Sequence, residues 1–495
     1  MIVERIFEWA QRKPDKTAII CDTISLDYRS FSNAIRSACD FFQQENFPVG
    51  GTAIVLVQSL LDAWIIVMAL RALGLNTFSV LSIEAAESLK IKDVVCIVAT
   101  QPEAVALNLV AKAAGRAKIV SIPPSIYAPK DSNELLPIQH NARPLGGHIL
   151  YTSGTTGTYK KVMMNGEHED RRNRTRAQFL SLDSNTIYHG TNFGLWTSIG
   201  FKTPSATWYE GGCVILDQRK DNFENFFQHN VTFAMFIPGM LKELLRTRGP
   251  LARPVDGFSA AVGGGFLPID FAEQSIQRLT DKLTLQYSST EINSTRLRSR
   301  FRTKDDLHWF LPTDERLFQI VDENGRECPT NQEGELRILL SDIDCYGYLD
   351  DEEASSRVFR DGYFYPGDMA VRREDGRIRI LGRSADVVIL NAQKVAAAPI
   401  EQAIQRLLGV DEVCLFSGLS EQGDEVIAIA IQSDRAIHRA ELEAVARKFV
   451  RSERVRFSIY REFPRTETGM KKTKRALLKK LVFEEIDGRH QIRPG

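Results

Sequence analysis

No two cysteines of this chain stand at the spacing of a metal or redox motif. Cys21, Cys39, Cys96, Cys213, Cys328, Cys345 and Cys414 are scattered, without a C-x-x-C, and their number is odd. That argues against a zinc ribbon or disulfide scaffold and predicts free thiols in a reducing compartment. The eight histidines form no H-E-x-x-H, so a zincin helix is excluded. Net charge is missing too, because 63 Lys+Arg balance 63 Asp+Glu. A whole-surface footprint for nucleic acid or membrane is not expected. The most apolar helix-like stretch, Ala63–Leu73, carries Arg71 and meets Gly74; it is too short to span a bilayer and reads as a buried helix. Met1–Arg5 shows no signal-peptide pattern, and no repeat or low-complexity tract occurs. A cytoplasmic protein without a membrane span is expected.

What is present has the make-up of a globular enzyme. The chain has 495 residues, 25% charged and 43% apolar, which predicts two or three structural units. Strand-like Ala53–Val57 precedes the Ala63–Leu73 helix. Val94–Val98 precedes a helical pattern over Glu103–Ala114, and Ile119-Val120 follows. This alternation is α/β with largely parallel sheets. Pro123–Arg143 reads as a loop. After Arg383–Asp386 the pattern changes. Helices over Ile400–Leu408 and Arg439–Val450 flank strands over Glu412–Phe416 and Val426–Ile431. A small α+β domain, 385–495, is expected behind a large one, 1–384.

The most informative stretch runs from Tyr151 to Lys160. Thr152, Ser153, Thr155 and Thr156 supply hydroxyls, Gly154 and Gly157 free the backbone, and Lys160 adds a cation. That is a kit for phosphate oxygens. A Walker loop would need G-x-x-x-x-G-K-(S/T) running into a helix. Here the glycines are three apart, and the following Val162-Met163-Met164 reads as strand. A P-loop NTPase is disfavoured.

The stretch resembles the T-S-G-(T/S)-T-G-x-P-K-G signature of the adenylate-forming superfamily. That superfamily holds acyl- and aryl-CoA synthetases, peptide-synthetase adenylation domains and luciferases. Tyr159 and Lys161 replace the usual proline and glycine. Further resemblances follow in the family's order. They are the glycine loop Gly263-Gly264-Gly265, Tyr287-Ser288-Ser289-Thr290-Glu291 for Y-G-x-T-E, and Gly334-Glu335-Leu336 for G-E-L. Pro366-Gly367-Asp368 stands for T-G-D, Gly382-Arg383-Ser384-Ala385-Asp386 for G-R-x-x-D, and Pro464-Arg465-Thr466 before a lysine cluster for P-R-T-x-x-G-K.

The resemblance implies ATP-dependent formation of an acyl adenylate, then transfer to a thiol on CoA or a phosphopantetheinyl carrier. Both reactants of the first step are anions, so donors and cations must offset the growing charge. Residues 152–157, Lys160, Gly263–Gly265, Tyr287 and Ser288 would bind the nucleotide. Thr290 would donate to the α-phosphate and Glu291 would hold Mg²⁺. Asp368 would take the ribose hydroxyls, with Arg383 beside it, and Asp386 would be the hinge of a mobile C-terminal domain.

Three departures from the pattern carry information. Met470 follows Gly469, where the family has its adenylation lysine, and register on Lys474-Arg475-Ala476-Leu477 selects Lys471, with Lys474 in reserve. A weakened nucleotide-binding relative is the alternative that this slip raises. Ala392 replaces a glycine of the pantetheine tunnel, which leaves CoA and a carrier protein both open as acceptors. His189, Asn192, Phe193, Trp196 and Phe236 fall on the family's acyl pocket. Asn192 cannot supply the charge that an α-ammonium needs, so an aryl or other non-amino acid is expected.

Overall fold

The expected alternation is realised as two mainly parallel sheets. The computed structural model describes residues 1–80, 91–100, 117–123, 145–152, 160–191, 193–217, 223, 226–390, 393–419, 425–450, 455–466 and 472–486. The helix expected over Glu103–Ala114 lies outside these residues, as does the loop from 124 to 143. One sheet orders its strands Lys118–Ile122, Val94–Thr100, Thr52–Leu56, Asn76–Ser79, His148–Thr152 and Lys160–Met164. Only its last pair is antiparallel. Thr52–Leu56 is buried at every residue, as befits a parallel strand covered on both faces. The second sheet has a parallel centre, in the order Lys282–Tyr287, Ser259–Val262, Phe233–Phe236, Ile187–His189, Cys213–Ile215 and Thr17–Cys21, with antiparallel strands at both edges.

The helix Leu60–Ala72 lies in the common core of these layers. Ser59 caps it by accepting the N–H of Asp62 at 3.2 Å. Its apolar residues cover the whole circumference, because every side faces protein. Trp64 stacks on Phe201 at 5.4 Å and meets Trp208 edge-on at 4.8 Å. Arg71, which the sequence placed in an apolar helix, is fully buried and pairs with Glu169 at 2.5 Å. Its Nε also donates to the Gly146 carbonyl at 2.9 Å. Glu169 accepts the N–H of Ile2 at 2.9 Å. Gly146 has no room for a side chain, since a Cβ would sit 1.8 Å from the Leu75 oxygen.

A third, antiparallel sheet follows. Glu333–Leu339 pairs with Phe318–Val321, Tyr363–Phe364 and Asp368–Arg372, and Asp368–Arg372 pairs with Ile378–Arg383. Beyond it, the helix Ala397–Leu408 packs on strands Glu412–Leu419, Glu425–Gln432 and Val455–Tyr460. The next helix is Arg439–Ala446, shorter than the pattern to Val450 predicted, and Arg475–Ile486 is the last described. The two apolar clusters of this part contain described residues from Val388 onward only. All seven cysteines are free.

Removing Glu169 would leave the Arg71 guanidinium buried and unpaired. Glu169→Ala should lower unfolding free energy by about 3–5 kcal/mol, the scale for breaking a buried pair from one side. Urea unfolding measures this. A loss below about 1 kcal/mol would mean that water reaches the pair.

Candidate active site

Thr152 ends one strand and Lys160 opens the next, and the two face each other in the antiparallel register. The motif between them therefore connects a hairpin rather than entering a helix. Ser153, Gly154, Thr155, Thr156 and Gly157 lie outside the described residues. The strand end is clamped to the segment before the helix Ser198–Tyr209. The Tyr151 N–H donates to the Trp196 carbonyl at 3.1 Å. The His148 ring bridges Thr77 Oγ1 at 2.8 Å and the Leu195 carbonyl at 2.9 Å. Burial pushes His148 down to about 3, so the ring is neutral. Lys160 pairs with Asp351 at 2.6 Å, and Lys161 with Asp350 at 3.3 Å. Asp351 also caps the helix Glu352–Val358 through the Ala354 N–H at 3.0 Å.

Ser259–Val262 and Lys282–Tyr287 are parallel neighbours, so their carboxyl ends share one edge of the sheet. Ligands of open α/β sheets bind at such edges. Gly263 leaves the first strand buried, where a Cβ would meet the Gln286 oxygen at 3.1 Å. Gly264 adopts φ +79°, in the left-handed region. Tyr287 ends the second strand, and exposed Ser288 and half-buried Thr290 follow it. Glu291 is buried, with its carboxylate accepting from Tyr348 Oη at 2.8 Å and from Ser289 Oγ.

Asp368 meets Tyr287 at this edge. The Tyr287 hydroxyl donates to Asp368 Oδ2, and Arg383 Nε stands 3.2 Å from Oδ1. Arg383 is the cross-strand partner of Asp368, so the pair is built by sheet register. Burial raises the Asp368 pKa, against the pull of Arg383 and the Tyr287 hydroxyl. Burial and Asp368 hold the Tyr287 hydroxyl well above its ordinary value, so it stays a donor. Lys471 lies outside the described residues. Its neighbour Lys472 is half-buried, and the charges it senses are Arg383, Asp368 and Glu291; burial and Arg383 draw its pKa down. Lys474 is half-buried as well.

The family model for AMP-binding enzymes matches residues 6–339. The chain belongs to that family. It is 23% identical over 511 residues to the mouse mitochondrial acyl-coenzyme A synthetase ACSM4, covering 95% of this chain and 85% of that one. It is 24% identical over 355 residues to 4-hydroxybutyrate–CoA ligase 2 of Metallosphaera sedula, covering 65% of this chain and 62% of that one. Among solved structures, ATP-bound MatB of Rhodopseudomonas palustris shares the fold at a TM-score of 0.81 and 18% identity, over 98% and 99% of the two chains. The amide bond synthetase McbA of Marinactinospora thermotolerans does so at 0.81 and 17%, over 97% and 99%.

The candidate acyl pocket of this AMP-binding enzyme is split between two environments. His189 stacks on Phe226 at 4.3 Å, and Phe236 lies 5.7 Å from the same ring, fully buried. Both belong to a packed aromatic core on one face of the second sheet. Met235, the residue beside Phe236, turns to the other face and meets Arg176 and Thr203 through its sulfur. Phe193 is buried, and the Trp196 ring packs over Gly194. Asn192 lies outside the described residues. At the expected hinge, Asp386 pairs with Arg475 at 3.0 Å, and Arg475 also pairs with buried Glu401 at 2.7 Å. Asn391 and Ala392 lie outside the described residues.

Several polar residues here escaped the sequence reading. Tyr348, Asp350 and Asp351 come from a segment without a recognisable motif, and only the third sheet carries it to the site. Lys202 is buried in the helix Ser198–Tyr209 and donates to the Thr290 carbonyl at 2.7 Å. A lysine in an apolar helix was a detectable signal. Among the described residues no helix is long and apolar enough to cross a membrane, and no cluster of His, Cys, Asp and Glu could hold a metal alone.

Tyr287→Phe should cost about 1.5–3 kcal/mol in urea unfolding, the scale for a hydrogen bond to a charged group. A cost near zero would show that water replaces the hydroxyl.

Proposed function

We propose that this enzyme activates a carboxylic acid as its acyl adenylate and then passes the acyl group to a thiol. The observation that carries the reading is the Asp368–Arg383 pair joined by Tyr287 at the sheet edge, with Glu291 and Lys472 acting on the same charges. In the first step a carboxylate oxygen bonds to the α-phosphorus of ATP. The bond to the bridging oxygen breaks, and pyrophosphate leaves. Residues 152–157 and Lys160 would hold phosphate oxygens, which requires Lys160 to exchange Asp351 for the nucleotide. Gly263–Gly265 would leave space for the adenine, and Ser288 would border it. Asp368, oriented by Tyr287 and Arg383, would accept from the ribose hydroxyls. Thr290 would donate to the α-phosphate.

Mg²⁺ fits as a companion of the nucleotide rather than as a resident ion. Glu291 offers it one carboxylate, and an ion that keeps several waters and takes phosphate oxygens needs few protein ligands. Bound there, it would offset phosphate charge.

A lysine beside Asp368 would stabilise the transition state. The motif register favours Lys471, and the charges of Arg383, Asp368 and Glu291 that act on Lys472 favour Lys472. We take 1–384 and 385–495 as the two domains. For the second step, rotation about Asp386 would break its pair with Arg475 and withdraw the lysine. A thiolate then attacks the acyl carbon and AMP leaves. The CoA-ligase names of two relatives favour CoA as acceptor, and a carrier-protein phosphopantetheine is the alternative. The acid is an aryl or other non-amino acid, because Asn192 offers no charge to an ammonium.

Pyrophosphate release over a panel of carboxylic acids, with and without CoA, tests the reading. Release that needs an acid is expected, with amino acids inactive. No release with any acid would leave a nucleotide-binding relative without adenylation.

Lys472→Ala should lower pyrophosphate release about 10²-fold or more, the scale of one lost electrostatic donor. Thioester formation from synthetic acyl adenylate should change little. Lys471→Ala and Lys474→Ala are measured beside it, and a split confined to Lys471→Ala moves the role back by one residue.

Asp368 must be ionised to accept both ribose hydroxyls, and its folded pKa is raised. ATP binding should therefore weaken on acidification while the pH is still above the ordinary carboxylate midpoint of about 4. Asp368→Asn should bind ATP more weakly at neutral pH and lose that acid limb. An unchanged pH profile in Asp368→Asn would remove Asp368 from the nucleotide site.

A further inference from the structure

The helix Glu169–Leu180 is mostly polar, with Ala177, Phe179 and Leu180 its apolar residues, yet the buried face is largely polar and charged. Glu169, Arg172, Asn173 and Arg176 recur at the three- and four-residue spacing of a single helix face, and none is more than 9% exposed. Lys202 and Arg296 join them from the helix Ser198–Tyr209 and the segment after Glu291, at 5% and 4%. Together with Asn293 these side chains line a cavity of about 20 Å³, space for one or two water-sized atoms such as the two oxygens of a carboxylate.

Among the described residues, Arg172, Arg176, Lys202 and Arg296 have no carboxylate of their own. Arg172 donates to the Asn165 carbonyl, Arg176 to Thr203 Oγ1 and the Met235 sulfur, and Lys202 to the Thr290 carbonyl. Every one of these acceptors is neutral. The Arg296 guanidinium lies 4.9 Å over the Phe179 ring and makes no side-chain hydrogen bond among the described residues. Glu169, the carboxylate in the wall, is already engaged by Arg71 and Ile2. Asp344 accepts from Asn293, Ser294 and Ser341, and Glu291 from Ser289 and Tyr348. Arg71, Arg172, Arg176, Lys202 and Arg296 thus outnumber Glu169, Glu291 and Asp344. The wall also holds a buried donor, Asn173 Nδ2, without an acceptor among the described residues.

Unpaired buried charge is among the most costly features a fold can carry. Burial and mutual repulsion push Arg176 and Lys202 well below their ordinary values, and burial brings Arg172 and Arg296 down to about 10. An anion in the cavity would answer the cations and the Asn173 amide together. Guanidinium forks match the geometry of a carboxylate.

We propose that this cavity is a binding site for one small anionic group of the carboxylate class. Its position points to a second carboxylate on the acid substrate, an assignment that rests on the adenylation reading. Lys202 bonds to the carbonyl of Thr290, beside Glu291. It lies on the helix that begins two residues after Trp196, and Arg176 reaches Met235 on the strand that leads to Gly263. A free anion would meet the same chemistry, and two measurements separate the sources.

The first measurement is thermal unfolding of the whole protein at equal ionic strength in the sodium salt of 2-(N-morpholino)ethanesulfonate, in chloride or in acetate. The sulfonate, with three oxygens on a tetrahedral sulfur and a bulky ring behind it, is too large for the cavity and carries no carboxylate. A saturated small-anion site should raise Tm by several degrees in chloride or acetate, since a ligand at about 100 times its Kd stabilises by about 2.7 kcal/mol. Lys202→Met and Arg296→Met should abolish that difference. In the sulfonate each variant should unfold within a few degrees of the parent, because it gives up one neutral contact, Lys202 with the Thr290 carbonyl or Arg296 with the Phe179 ring, together with a buried cation. The parent series stands alone if a variant does not fold. The second measurement is pyrophosphate release with matched pairs such as butanoate and succinate, or benzoate and phthalate. A diacid preference of tenfold or more in kcat/KM, lost in Lys202→Met, assigns the cavity to the substrate. A small-anion shift in Tm without diacid preference assigns it to a free anion and still supports the site. No anion-specific shift together with no diacid preference overturns the proposal. If no acid releases pyrophosphate, the adenylation reading fails while the thermal series still decides the cavity.

Discussion

The buried pair of Arg71 and Glu169 joins parts of the chain that would otherwise only touch. Arg71 belongs to the helix at the centre of the largest core, and Glu169 begins the helix that walls the cationic cavity. Through the Gly146 carbonyl the same guanidinium fixes the approach to the strand that ends at Thr152. Through Ile2 the same carboxylate anchors the first helix. Charge taken out of water must be matched by charge or by hydrogen bonds. Here that requirement sets the relative positions of the first sheet, the central helix and the hairpin of Thr152 and Lys160. Apolar packing alone would leave those positions less specified, because it is indifferent to direction.

The same rule operates at the sheet edge with a different outcome. Asp368 is buried, and Tyr287 and Arg383 both address its carboxylate against the cost of burial. These partners come from two different sheets, so the carboxylate also records how the sheets are docked. Glu291 is likewise held by hydroxyls, from Ser289 and Tyr348. Hydroxyl donors stabilise a carboxylate without cancelling its charge, and that leaves it able to meet a cation. The lysines are arranged in the opposite sense. Lys160 is tied to Asp351, whereas Lys472 sits among charges of both signs.

The α/β class was legible in the residues, and so was the strand, rather than a helix, that follows the stretch from Tyr151 to Lys160. Periodicity located the strands Thr52–Leu56 and Val94–Thr100 and the helix Leu60–Ala72 to within a few residues. Such signals are local, because a strand or helix imposes its period on the side chains that it buries. The glycine loop Gly263–Gly265 was legible only through its resemblance to a family motif. Less legible were the partners of each charged group. Asp351 reaches Lys160 and Tyr348 reaches Glu291 across long stretches of sequence, and no spacing rule connects them.

The helix Glu169–Leu180 marks the boundary most clearly. Its polar composition says that it is helical at most, and gives no apolar stripe to orient it. Only the packing of three segments shows that its charged face is the inner one. His189 and Phe236 make the same point, since the chain positions were recognisable but the sheet face on which each side chain falls was not. The sequence by itself determined the family, through motifs that follow one another along the chain. Tertiary structure decided which charges meet, because a charge chooses its partner by distance in space and by the water it loses, and neither is written along the chain.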